Sequence, residues 1–162
     1  MKNLIKVLFL FGIIGFIAFS CDEDDTTSKI LQVKDLTYNG CKEQKSNSDT
    51  IEEYIDFCII DSNYLAVRHV NAIFNCCPEE IIIEAKIKNS EIFYNSFHKV
   101  NGCHCECYYD TYCKIGPLSF DKYTFIMSTY DIDDPIEFTI EFNQTTQGKY
   151  IIEREHVNYP LK

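Results

Sequence analysis

The chain has 162 residues, with 15 basic and 25 acidic side chains, nine cysteines and no tryptophan. That length holds one domain, and an apolar fraction of 46%, with only four prolines and six glycines, excludes wholesale disorder and low-complexity chains. A formal charge of -10 argues against a nucleic-acid binder, which needs a basic stripe to neutralise phosphates. Residues 1–6 carry Lys2 and Lys6 and no acid, and residues 7–19 are uninterruptedly apolar. Such a run falls short of the roughly 20 residues of a bilayer span. It matches the hydrophobic stretch of a secretory signal.

The run closes on Ala18-Phe19-Ser20-Cys21. Here the chain resembles a bacterial lipoprotein signal, in which a small residue precedes an obligatory cysteine. Ala18 and Phe19 stand where the usual pattern has Leu and a small residue. The resemblance implies that residues 1–20 are removed and that Cys21 becomes the lipidated first residue. Its soft thiolate would become a thioether carrying diacylglycerol. Acyl chains anchor at about 0.8 kcal/mol per buried CH₂, so several chains hold where one is marginal. The alternative is an ordinary secretory signal that leaves Cys21 for a disulfide. Asp22-Glu23-Asp24-Asp25 is similar to the surface-export signal of Bacteroidota lipoproteins, and also suits a self-repelling spacer over residues 21–29. The mature chain keeps 13 basic and 25 acidic side chains, a charge of -12. Such a surface repels anionic headgroups, which leaves the lipid to hold the membrane.

From there the chain reads as strands. Residues 30–36 and 54–60 fit loosely alternating strands about a polar loop at residues 46–49. In that loop Asp49-Thr50-Ile51 resembles the O-glycosylation site of exported Bacteroidota proteins, which would place a glycan on Thr50. Residues 64–74 are open. Asp61 can cap a helix with Ala66, Val70 and Ile73 on one face, or Leu65 and Val67 can point inward from a strand. The neighbouring strands favour the latter. Ile81, Ile83, Ala85 and Ile87 alternate with Ile82, Glu84, Lys86 and Lys88 before an Asn89-Ser90 turn and a returning strand at 92–97. In residues 103–115 one parity reads Cys, Cys, Cys, Tyr, Thr, Cys, Ile, and the other is polar or aromatic. A helical template would bury Glu106 and Asp110, so this is a long half-buried strand. Strands follow around Tyr123, Phe125 and Met127, at 136–142 and at 150–153, with residues 144–148 as a reversal and 156–162 as a tail. Seven to nine short strands predict an all-β, antiparallel sandwich or barrel over residues 30–155.

Beyond Cys21 stand Cys41, Cys58, Cys76, Cys77, Cys103, Cys105, Cys107 and Cys113. An even count in an exported chain predicts disulfides. Residues two apart on a strand have Cα atoms nearly 7 Å apart, at the edge of disulfide reach. Cys103, Cys105 and Cys107 should therefore each find a partner on another strand. The competing reading is a zinc or copper site drawing on Cys76, Cys77, Cys103, Cys105 and Cys107, although no C-x-x-C pair is present. The thiols are expected to be consumed in pairs, which disfavours a cysteine nucleophile.

Cys103-x-Cys105 through Tyr109-Asp110, then Ile115-Gly116-Pro117-Leu118 and Tyr123-Thr124-Phe125, together with Asn75-Cys76-Cys77-Pro78, resemble uncharacterised small lipoproteins of Bacteroidota. The resemblance covers about residues 65–127 and implies a single Ig-like sandwich, with no catalytic residue to carry over. The scattered His69, His98, His104 and His156 read as surface or partly buried polar residues. Asp131-Ile132-Asp133-Asp134 reads as an acidic turn, since a calcium loop requires a Gly and a distal Glu that are missing here. Asn143-Gln144-Thr145 fits the N-glycosylation pattern, of little use to a bacterial lipoprotein.

No phosphate loop or hydrolase motif is present, so the expectation is a cofactor-free, non-catalytic lipoprotein of the outer membrane. Its ligand would be a protein or a glycan, with Tyr108 and Tyr112, opposite the cysteine parity, as candidates for an exposed patch. The alternatives are the metal-binding envelope protein and an immunity or inhibitor lipoprotein whose acidic face blocks a basic partner.

Overall fold

The computed structural model describes residues 27–42, 51–100 and 105–153. Ten strands follow in chain order: β1 (Lys29–Ile30), β2 (Gln32–Lys42), β3 (Glu53–Ile60), β4 (Tyr64–Asn75), β5 (Pro78–Lys88), β6 (Glu91–Val100), β7 (Glu106–Gly116), β8 (Asp121–Thr129), β9 (Ile136–Phe142) and β10 (Gln147–Ile152). Sheet I has the order β1-β5-β6-β8-β9 and sheet II the order β10-β3-β4-β7-β2. Neighbours run antiparallel except β6 and β8, which are parallel because the chain leaves sheet I for β7 and returns. The fold is an all-β sandwich, as the alternating pattern requires, and residues 64–74 are strand.

Alternation explains why each segment sits where it does. Ile55 on β3, Leu65 and Val67 on β4, Cys113 and Ile115 on β7 face Ile92 and Tyr94 on β6 and Phe125 and Met127 on β8, all buried. Asn89 and Ser90 both take positive φ, the conformation that a two-residue hairpin loop demands, and join β5 to β6. At Leu31 the chain changes sheets. Lys29 and Ile30 pair with β5, Leu31 donates its N–H to the Ala85 carbonyl at 2.9 Å, and β2 then pairs with β7. Leu31 is itself buried and plugs that corner.

The interior is divided. The larger cluster contains most of the buried side chains, and a smaller one holds Ala72, Phe74, Ile81 and Tyr109. Between them lies a polar layer. On β4, His69 falls between Val67 of the first cluster and Ala72 of the second. On β7, Thr111 falls between Cys113 and Tyr109. On β6, Ser96 follows Tyr94. His69 and Thr111 are directly opposed in register. His69 Nε2 lies 2.6 Å from Glu53 Oε1, and the two side chains are 1% and 3% exposed. His69 corrects the expectation of a surface or partly buried histidine, for it is fully buried. Its place on the inward parity of β4 and the Glu53 carboxylate that satisfies one ring nitrogen put it inside.

The smaller cluster lies at the cysteine end. Cys41 on β2 is bonded to Cys107 on β7, and Cys76, in the β4–β5 corner, is bonded to Cys105 just before β7. Their Cα atoms are 5.0 and 5.5 Å apart, within ordinary disulfide reach. Cys105 and Cys107 thus each take a partner from another segment. Cys77 is also disulfide-bonded, and Cys103 lies outside the described residues. Cys58 and Cys113 correct the expectation of complete pairing, for both are free. Their cross-strand neighbours offer no sulfur: Cys58 faces Ala66 and Gln147, and Cys113 faces Val67.

Candidate functional site

The outer face of sheet II gathers the exposed chemistry. The outward parity of β7 carries Tyr108, Asp110, Tyr112 and Lys114, and that of β4 carries Tyr64 and Arg68. Around β2 and β7 a shallow groove of about 260 Å³ is lined by Thr37, Tyr38 and Asn39, by Arg68, and by Asp110, Thr111 and Tyr112. Register explains the grouping. Thr37 lies opposite Tyr112, Asn39 opposite Asp110, and Arg68 opposite Tyr112 on the other side.

Asp110 is the fixed point of this face, and a β-bulge fixes it. The β4–β7 register slips between His69 and Ala72, where Asn71 takes φ 60°. Asparagine tolerates that left-handed conformation better than most residues. The extra residue turns the Asn71 N–H onto Asp110 Oδ1 at 3.1 Å, while its side-chain amide donates to the Glu52 carbonyl at 2.7 Å. Lys42 Nζ donates to Asn71 Oδ1 at 2.7 Å and also to the Asp110 carboxylate. Arg68 Nη2 approaches the other carboxylate oxygen at 3.4 Å. Partial burial works to raise the pKa of Asp110. The bonds from Lys42 and the Asn71 amide, with the charges of Lys42 and Arg68, outweigh it and hold the carboxyl below its ordinary value. It is an ionised acceptor with a set orientation.

Arg68 is differently placed. Its side chain is half exposed and its bond to Asp110 is long, so a guanidinium with five N–H donors keeps capacity for a ligand. Other rings on this face are capped: Lys149 Nζ stands 3.7 Å over Tyr54, and Lys34 Nζ 4.1 Å over Tyr64, whose hydroxyl donates to Gln32. Among the described residues no cation covers Tyr112. Tyr108 and Tyr112 are both half-buried on the outer face, and Tyr112 alone lines the groove. The sequence pointed to Tyr112. It did not point to Lys42, Arg68, Asn71 or Asp110, whose convergence depends on cross-strand register. In the structure the bulge shows as broken alternation at His69-Val70-Asn71-Ala72, which are buried, buried, half-buried and buried.

The buried groups offer different chemistry. Burial pushes the Cys113 thiol up to about 11, against a hydrogen bond with Tyr94. The Tyr94 hydroxyl lies 3.7 Å from Cys113 Sγ, and burial raises its pKa as well. A thiol so placed is a core side chain and a poor nucleophile. His98 lies edge-on to Tyr130 with ring centroids 4.4 Å apart, and Tyr130 donates to Glu106 at 3.3 Å. The zinc or copper alternative loses its thiolates, since Cys76, Cys77, Cys105 and Cys107 are consumed in disulfides. Asp131, Asp133 and Asp134 form the turn between β8 and β9, with Asp131 accepting from Thr129 at 3.0 Å. Cys21, Asp22, Glu23, Asp24, Asp25, Thr50, Cys103, His104 and His156 lie outside the described residues.

No protein-family model, no curated protein and no solved structure matches the chain.

Proposed function

We propose that the chain is a lipid-anchored, non-catalytic binding module of the bacterial outer membrane, displayed at the cell surface, with the outer face of sheet II as its binding face. The anchor rests on the residues before the fold: Lys2 and Lys6, the apolar run at 7–19, Ser20-Cys21, and the acidic Asp22-Glu23-Asp24-Asp25 spacer. The observation that carries the binding role is the Asp110 network. Three donors from β2 and β4, the Lys42 ammonium, the Asn71 N–H and the half-exposed Arg68 guanidinium, hold one carboxylate of β7 in place beside an uncovered tyrosine. A surface ordered before its ligand arrives loses less entropy on binding.

The same geometry favours binding over catalysis. Asp110 is kept ionised and surrounded by donors, so it accepts hydrogen bonds and does not shuttle protons at neutral pH. His69, the imidazole bonded to a carboxylate, is shut inside the sandwich. Among the described residues the one buried free thiol, Cys113, is held protonated.

Radiolabelled palmitate should enter the wild-type chain in a lipoprotein-processing bacterium and not the Cys21→Ser variant. Externally added protease should digest the domain on intact cells. Label in the Cys21→Ser variant, or protection from protease, would defeat the anchoring or the display respectively.

A further inference from the structure

We infer that the groove between β2, β7 and β4 is a saccharide site, taking one ring of a neutral sugar chain against Tyr112 with its hydroxyls on Arg68 and Asp110. This deepens the reading of that face as a binding surface and rests on it.

Charge comes first. The protein is strongly acidic, yet the groove is balanced. Lys42 and Arg68 meet Asp110, and Asp56 lies opposite Arg68 in the β3–β4 register. Lys149, which pairs with Glu52 at 2.5 Å, also feels Asp56. An anion would find as much repulsion as attraction here, and so would a cation. A neutral ligand loses nothing to either.

Donor and acceptor chemistry narrows the class. A carboxylate only accepts, a guanidinium only donates, and hydroxyls and primary amides do both. Asp110 and Arg68 stand side by side with Asn39 and Thr37 close to them in register, both exposed. A pair of adjacent sugar hydroxyls can donate to the carboxylate and accept from the guanidinium at once, bonds strengthened by the charged partner. A hydrophobic peptide anchor would leave this polar lining without partners, which is costly on burial. Tyr112 supplies the remaining element, an amphipathic ring of low conformational entropy for the apolar C–H face of a sugar.

Size agrees. About 260 Å³ lies below the roughly 300–1,000 Å³ of pockets that enclose drug-sized ligands. A shallow site of that volume suits one ring of a longer chain, with neighbouring rings running over the sheet.

The test is affinity electrophoresis of the full-length lipoprotein in detergent, through native gels containing mannan, laminarin or dextran, which are neutral, or polygalacturonate, which is acidic. At least one neutral polysaccharide should retard the wild type, equally at 50 and 500 mM NaCl. Arg68→Ala and Tyr112→Ala should each weaken retardation more than tenfold. Tyr112→Phe, which keeps the ring, should retain most of it, and Phe93→Ala on sheet I should change nothing. Circular dichroism of each variant checks the fold. Retardation by polygalacturonate alone, abolished by salt, would overturn the neutral-sugar assignment, as would neutral-sugar binding insensitive to both alanine variants. If no polysaccharide binds, the saccharide inference fails. The binding-face reading survives that result only if photo-crosslinkers placed at Asn39 capture a defined envelope protein on intact cells and Arg68→Ala abolishes the capture. Loss of both signals sinks the two readings together.

Discussion

The two ends of the sandwich are held by different means. Away from the cysteines, Phe125, Met127, Ile92, Ile115 and Leu65, all fully buried, pack from both sheets into one large apolar cluster. At the cysteine end the apolar cluster shrinks to Ala72, Phe74, Ile81 and Tyr109, and two disulfides tie β2 and the β4–β5 corner to the start of β7. Even the backbone is close there, since Gly40 lies against the Tyr109 ring with no room for a Cβ. Covalent links stand where burial is thin, and the polar layer of Glu53, His69, Thr111 and Ser96 marks the boundary. The lesson is that oxidation here reinforces one end of a core that is otherwise self-sufficient.

Removing packing from the large cluster should break that comparison most severely. Phe125→Ala should cost about 3–5 kcal/mol by urea denaturation, whether or not the disulfides are reduced. Phe74→Ala at the other end should cost less while the disulfides are intact and visibly more once they are reduced. Equal costs under both conditions would mean that the two ends are not held differently.

Opening the Cys41–Cys107 bond with a double Cys→Ser variant should cost about 2–4 kcal/mol. Its sequence separation of 66 exceeds the 29 of Cys76–Cys105. Loop-closure entropy then makes it the more stabilising link by about 0.7 kcal/mol. The same denaturation series measures the order.

The free thiols sharpen the contrast without cost to the fold. Maleimide should label Cys58 in the native protein within minutes, and Cys58→Ser should remove that signal. Cys113 should label only on global unfolding, because it is buried and its thiol is pushed up to about 11. Fast native labelling of Cys113 would show that the large cluster opens locally.

The smallest effect is in pH. Burial lowers the pKa of His98 from its ordinary 6.5, against the pull of Glu106. The unfolded chain therefore takes up this proton first. The stability that results is complete above about pH 6.5 and is lost as pH falls toward the native value. Asp110 acts at lower pH in the same direction. Its lowered native pKa contributes stability above the ordinary carboxylate range near 4 that disappears on further acidification. His98→Gln should flatten the melting-temperature profile between pH 7.5 and 5.5, whereas Asp110→Asn should alter it only below about pH 4.

Binary patterning determined much of this protein before any folding was considered. The alternation from Ile81 to Lys88, the Asn89-Ser90 turn and the period of two through Cys107, Tyr109, Thr111 and Cys113 are local properties. They force strands, and with them the two-layer fold. Inward and outward parity also separated the core-facing cysteines of β7 from Tyr112 correctly, because a strand leaves each side chain only two sides to choose between. Only the tertiary structure decided which cysteines pair, why Cys58 and Cys113 remain thiols, that His69 is buried against Glu53, and that Lys42, Arg68 and Asp110 meet. Each of these joins residues distant in sequence, and their meeting depends on strand order and on the single extra residue at Asn71. Periodicity fixes the face a side chain occupies; cross-strand register fixes its neighbours, and that information is not local.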